Sequence, residues 1–246
     1  PLVALSLFKN KNLATSTFLL SLFTSTVFAM IALEPIMLET LFKYTPLQVG
    51  HVMAPRGISS AFAMMLCGMF MNKTEPRILI FIGISICCAS SFMMTDISLE
   101  TSYNYFMYQG IVQGFSLGLV FAPLSYYSLI TIEKSQIAAG AGLFSYGRQM
   151  GVAIGLSIFT TLFTRESQTS FNTLSGYITP FRYPVHKWLA NQGYGYDSLN
   201  NPQALDSLKL EVLRQSSMIG FIDSFYAMSC VLLILIPLVL FLRNRK

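Results

Sequence analysis

The sequence predicts an all-α, polytopic membrane protein with six transmembrane helices, and three observations lead there. Of its 246 residues, 53% are hydrophobic and only 11% are charged, against about 25% charged in an ordinary soluble domain. Mean hydropathy is +0.56. The apolar residues fall in six runs, each within reach of the roughly 17–25 residues that let a helix cross a bilayer. The net charge of +5 is therefore read against membrane topology, with no nucleic-acid partner expected.

The first span, 13–38, follows a short amphipathic lead, PLVALSLFKNKN, and ends in Glu34-Pro35. The second, 47–71, starts just after Pro46, which suits a helix N-terminus, and carries Arg56 within APRG. The third, 78–95, holds no charged residue and is expected to face lipid. The fourth, 103–132, sets Gly110, Gly114 and Gly118 at four-residue steps and then Pro123, where a kink is expected. The fifth, 136–163, reads QIAAGAGLFSYGRQMGVAIGLSIFTTLF. Its Gly140, Gly147, Gly151 and Gly155 share one helical face, a groove into which another helix can sink, and Arg148 lies beside it. The sixth begins at 219, carries Asp223 near its start and ends in RNRK.

These runs divide the chain into 1–163 with five spans, 164–218 as an external loop, and 219–246 as the sixth span with a basic cytoplasmic tail. Within the loop, Asn201-Pro202 reads as an N-cap with proline at N1, and Leu205, Leu208 and Val212 follow at helical spacing. A short interfacial helix is expected there, feeding span six. Lys9, Lys11, Lys73, Arg77, Lys134, Arg243, Arg245 and Lys246 fall on one side of this layout, while the short loops opposite hold only Lys43. The positive-inside rule makes the richer side cytoplasmic, with both ends of the segment there. The chain opens on Pro1 rather than Met, so it is expected to be a fragment or a processed piece.

Charges inside apolar spans are the candidate functional groups, because each is costly there unless compensated. Spans one and two turn near 43–46, which sets Glu34 and Arg56 about ten residues from the turn and, at ~1.5 Å per residue, at similar depth. Two readings stand: an ion pair that neutralises both, or a Glu34 that snorkels at the outer interface. The same arithmetic sets Gly118 and Arg148 at similar depth on spans four and five. The two glycine rows then either meet each other or each pack on some other helix. Gln109, Gln113, Tyr146 and Gln149 lie on the same two helices and suit a wet cavity. Asp223 reads either as a proton-carrying carboxylate or as an interfacial, water-accessible one. Arg148 has no evident partner at its depth.

No catalytic residue and no metal ligand set is expected. Cys67, Cys87, Cys88 and Cys230 lack ligand spacing, the two histidines are scattered, and no nucleophile has a base at comparable depth.

Six motifs in order, the PLVALSLFKNKN lead, APRGI, the loop from Gly68 to Arg77, QGFSLGLVFAPLS, GRQMGVAIG and the approach from Gln215 to Asp223, resemble the C-terminal half of EmrB/QacA-type drug:proton antiporters of the major facilitator superfamily. The similarity covers essentially the whole chain. It implies one six-helix half-bundle of a fourteen-helix exporter in the bacterial inner membrane, moving toxic compounds outward by alternating access. No cofactor beyond the proton gradient is implied. The implied partners are the N-terminal half of the same transporter, the lipid bilayer and a hydrophobic small-molecule substrate, with room for a periplasmic adaptor. Spans one and four would line the cavity, two and five would face the first half, and three and six would be peripheral. Glu34, Arg56, Arg148 and Asp223 would be the buried or proton-coupling charges. Two departures stand out: Glu34 occupies a position expected to be apolar, and Asn72 one that is often acidic. Export of a siderophore or metabolite by the same fold, and a truncated remnant without transport, are the alternatives.

Overall fold

A computed structural model describes residues 11–71, 74–130, 132–178, 183–192, 194 and 201–239. Among them are seven α-helices and no strand: α1 (Lys11–Thr40), α2 (Pro46–Phe70), α3 (Pro76–Met93), α4 (Tyr103–Leu129), α5 (Ile137–Gly176), α6 (Tyr183–Asn191) and α7 (Pro202–Leu238). A 3-10 turn, Lys134–Gln136, leads into α5. The basic residues at 9, 73 and 243–246, and Asn72, lie outside the described residues.

Five of these helices, α1, α2, α3, α4 and α7, are long and apolar enough to cross a membrane. The protein is thus a multi-pass, all-α membrane protein, with one span fewer by this measure than the six expected. The difference is α5. Glycines, hydroxyl residues, Gln149 and Arg148 occupy the stretch that was expected to span, so it trades apolar surface for close packing.

Two helices run further than expected. α5 continues past residue 163 to Gly176, and the short helix expected from Asn201 is the first part of α7, which continues unbroken to Leu238. Residues 164–175 and 203–219 contain neither Pro nor Gly, so nothing there terminates a helix. At ~1.5 Å per residue, α5 and α7 are about 60 and 55 Å long, well beyond a hydrocarbon core of about 30 Å. The start of α7 is built as its sequence implies: Asn201 Oδ1 accepts from the Gln203 amide at 3.0 Å, and Pro202 follows at N1. α6 lies against this first part of α7 through Val185, Leu189, Ala204 and Leu208.

α1 and α4 are the most enclosed helices. One apolar cluster joins Leu20, Phe23, Ile84, Val120, Leu124 and Leu232, and a second joins Met30, Leu33, Phe106, Phe221 and Phe225. Lipid is as apolar as these side chains, so close backbone approach and internal hydrogen bonds hold such helices together.

The glycine rows supply that approach, each against a different helix. On α4, a Cβ at Gly114 would land on the Arg56 carbonyl oxygen, and one at Gly118 would stand 2.6 Å from both Ala63 Cβ and Ser60 O. On α5, a Cβ at Gly151 or Gly155 would collide with the backbone of Ser21 or Ser25, and one at Gly147 with Thr17. The rows therefore pack α4 on α2 and α5 on α1, and do not meet each other. Gly110 is looser, with Val52 O at 3.7 Å from its added Cβ. The Ser21 hydroxyl donates to Gly147 O at 2.7 Å and Thr24 Oγ1 to Arg148 O at 3.4 Å, so the α1 side of that contact is polar.

α3 was expected to face lipid, and one side of it is exposed while the other is buried. Ile78, Phe81 and Ile82 are exposed, while Gly83, Cys87, Ser90 and Ser91 are buried in the bundle. The absence of charge concealed a polar seam: Ser229 Oγ on α7 donates to Ser91 Oγ at 2.8 Å, and Ser90 bonds to α4.

Candidate functional site

The turn between α1 and α2 sets the register of the site. α1 ends with the Tyr44 amide donating to Leu38 O at 3.1 Å across Lys43, whose φ is 58°. α2 begins with a capping box, in which the Thr45 amide donates to Gln48 Oε1 at 2.8 Å and Thr45 Oγ1 accepts from the Gln48 amide at 3.4 Å. Two antiparallel helices leave this turn, so residues equally far from it share a depth.

Glu34 and Arg56 are such residues, and the structure joins them. Arg56 Nη2 donates to Glu34 Oε2 in an ion pair, with Glu34 0% and Arg56 5% exposed. The snorkelling alternative for Glu34 therefore drops out. Each charge abuts a proline inside its helix, Pro35 and Pro55, and each proline removes one helical amide donor.

The pair does not stand alone. Arg56 Nη2 also reaches Gln109 Oε1 at 3.5 Å, and Gln109 Nε2 donates to Ser90 Oγ at 3.1 Å, whose hydroxyl returns a bond to Gln109 O at 3.3 Å. One turn along α4, Gln113 Nε2 donates to Met30 Sδ at 2.9 Å. Four helices thus contribute to one enclosed polar cluster. Its bonding is incomplete: Glu34 Oε1, Arg56 Nε, Arg56 Nη1 and Gln113 Oε1 are buried with no hydrogen-bond partner among the described residues. A carboxylate with one free oxygen can accept a proton, whereas the guanidinium stays charged.

The other candidates are placed elsewhere. Gln109 and Gln113 are fully buried and belong to this interior cluster. Tyr146, 60% exposed, faces outward and lines a groove of about 730 Å³ between α1, α5 and α7, and Gln149 is exposed. The four expected cavity residues therefore do not share one cavity, because α4 and α5 turn their glycine faces to different helices. Arg148 is half-buried, and its guanidinium has no ionic or hydrogen-bonded partner among the described residues. Asp223 lies about six turns into α7 rather than one turn into a helix starting at 219, half-buried beside Phe221, Ser224 and Phe225.

Ser90 and Met30 are the cluster members that sequence reading missed. Ser90 belongs to an uncharged run, and only the pair of serines in ASSF marked a polar side of that helix. Met30 carries no sequence signal for such a role. Among the described residues no group of three or more His, Cys, Asp or Glu is placed to hold a metal.

Long apolar helices around a sequestered ion pair define a multi-pass membrane protein, and its relatives are membrane transporters. The chain is 27% identical over 239 residues to the fatty acid resistance protein FarB of Neisseria gonorrhoeae, covering 97% of this chain and 47% of that protein. It is 27% identical over 246 residues to the multidrug export protein EmrB of Escherichia coli K12, covering 98% and 47%. An uncharacterized MFS-type transporter of Bacillus subtilis, YhcA, is 21% identical over 206 residues, covering 80% and 39%. Within this class the chain matches the C-terminal half of EmrB-type transporters of the major facilitator superfamily, and it spans about half the length of these curated relatives. No family model matches the chain.

Proposed function

We propose that the intact protein exports hydrophobic or amphipathic toxic compounds by alternating access driven by inward proton flow. This chain is its C-terminal half-bundle, with α5 as a sixth span, in the inner membrane of a bacterial cell with both ends of the segment cytoplasmic. The observation that carries the reading is the enclosed Glu34–Arg56 pair with Gln109 on α4. A buried pair inside a membrane bundle is expensive to maintain and becomes useful if one member exchanges a proton. Glu34 takes that role. When it is protonated, Arg56 loses its anion but keeps the Gln109 amide, so α1 is released from α2 while the guanidinium remains held. Pro35 and Pro55 weaken the helices where that movement is needed.

The half-bundle alone offers one wall and does not transport. Ile58, Phe62 and Met69 on α2 and Met150, Ile154 and Ile158 on α5 form exposed apolar rows, which supports α2 and α5 as the contact with the first half. α1 and α4 then line the cavity. Arg148, without a partner among the described residues, is compensated by water, substrate or the first half. α5 and α7 extend beyond the apolar layer on the external side, where a periplasmic adaptor has a surface to meet. The names of FarB and EmrB, which speak of fatty acid resistance and multidrug export, support an apolar or amphipathic substrate.

An efflux assay tests this: the full-length protein in a drug-susceptible host lowers intracellular accumulation of lipophilic dyes, and a protonophore abolishes the effect. Glu34→Gln, already neutral, removes proton-driven accumulation gradients. Export that persists undiminished under the protonophore, or in Glu34→Gln, overturns the coupling role.

A further inference from the structure

We propose that a second cleft, at the end of the bundle where α1 turns into α2, binds an amphiphile with an anionic head group, the head on Lys43 and Arg214 and the apolar body on Ile36, Phe163, Leu213 and Phe221. The cleft lies between the end of α1, α5 and the first half of α7 and measures about 490 Å³, within the range of small-molecule sites. It is separate from the Glu34 cluster.

Its lining is divided by chemistry. Phe163 and Phe221 form an aromatic floor with ring centroids 4.2 Å apart, while the half-exposed Ile36 and Leu213 supply apolar walls. At the rim stand two cations and one carboxylate, Lys43, Arg214 and Glu211. The carboxylate neutralises little of that charge. Its Oε1 accepts from Gln215 Nε2 at 2.8 Å, and its contact with Arg214 Nη1, at 4.0 Å, is at the limit of an ion pair. Arg214 Nε is buried and has no hydrogen-bond partner among the described residues. That buried atom is closed to a ligand, but the Arg214 side chain is 40% exposed, so the rest of its guanidinium fork can meet an incoming oxyanion.

Lys43 adds an independent observation. Its φ of 58° makes it the one described non-glycine residue with positive φ, at the helix C-terminal position that glycine ordinarily fills because a side chain is disfavoured there. Strain kept at such a position points to a use for the side chain. Here it places an ammonium at the rim of the cleft. The cleft also lies where an apolar span gives way to a charged turn, so a ligand keeps its apolar part at membrane depth and its head at the interface. A neutral ligand would leave both cations without benefit, and a small hydrophilic anion would leave the aromatic floor unused.

The test is photolabelling of the full-length protein, purified in neutral detergent, with a diazirine-bearing dodecanoate and, in parallel, the matching dodecanol. Crosslinks mapped by mass spectrometry are expected at Ile36, Phe163, Leu213 or Phe221 for the carboxylate. Lys43→Gly and Arg214→Gln are each expected to lower carboxylate labelling by about tenfold, the loss of one charge-assisted contact, and to leave dodecanol labelling unchanged. Lys43→Gly relieves the backbone strain, so a melting midpoint that is unchanged or raised certifies that it is folded. Competition by phosphatidylglycerol but not phosphatidylcholine in mixed micelles assigns the head group to a lipid, and absence of competition assigns it to a free amphiphile. Equal labelling by the acid and the alcohol, or full carboxylate labelling in both variants, overturns the site.

Discussion

Removing one member of the Glu34–Arg56 pair leaves the other as an uncompensated charge inside the bundle. Glu34 is 0% and Arg56 5% exposed, so solvent relieves neither. Breaking a buried pair by removing one partner costs about 3–5 kcal/mol, whereas replacing both partners is often close to neutral. Glu34→Gln strands the guanidinium with only the 3.5 Å contact to Gln109, and Arg56→Gln strands a carboxylate whose Oε1 is already without a partner. Each single change is expected to lower stability by about 3–5 kcal/mol, read as a lower melting midpoint. The double change is expected to cost less than either single one. The assay is thermal unfolding of the purified full-length protein and its three variants in one detergent, read as a double-mutant cycle. If the double variant loses the sum of the two single losses, the charges are not coupled and the site is not a pair.

Three further outcomes are expected. Gly114→Val and Gly151→Val each destabilise by about 1–3 kcal/mol or more, because the added carbon meets backbone that cannot move aside, while Gly142→Ala, inside α5 with open space around it, does not lower the melting midpoint and stabilises by the ~0.5–1 kcal/mol that helix propensity supplies. Gln109→Leu removes the acceptor for Arg56 and the donor for Ser90 and costs about 1–3 kcal/mol; Ser90→Ala removes both Ser90–Gln109 bonds but keeps the acceptor for Arg56, and because no charged group loses a partner it costs less in the same unfolding assay. Arg148→Ala abolishes export in the efflux assay while membrane insertion, read by fractionation and protease accessibility, is unchanged. Wild-type efflux in that variant refutes a role for the charge.

The class and much of the site were legible in the chain because both follow from short-range rules. Apolar runs of bilayer length dictate a multi-pass all-α protein, since only structures that satisfy their own backbone bonds persist in lipid. Counting residues from a tight turn brought Glu34 and Arg56 to one depth because helical rise is constant. Asn201-Pro202 marked the start of a helix because capping is local chemistry.

What stayed hidden depended on which helix lies against which. A glycine face announces that some helix will sink into it, but carries nothing that names the partner, and α4 chose α2 while α5 chose α1. The rotation of each helix then followed. It buried Gln109 and Gln113 with the ion pair, left Tyr146 and Gln149 outside, and turned Ser90 of an uncharged helix toward Gln109. The lengths of α5 and α7 were also misjudged, because an end of hydrophobicity is not an end of helix when neither Pro nor Gly follows. By itself the sequence put Glu34 and Arg56 at similar depth and left open whether they pair or Glu34 snorkels at the outer interface. Only the tertiary structure decided that they touch, that α4 holds the base with an amide, and that Arg148 finds no partner among the described residues. Depth is set along one helix by its rise, whereas contact is set between helices by their rotation.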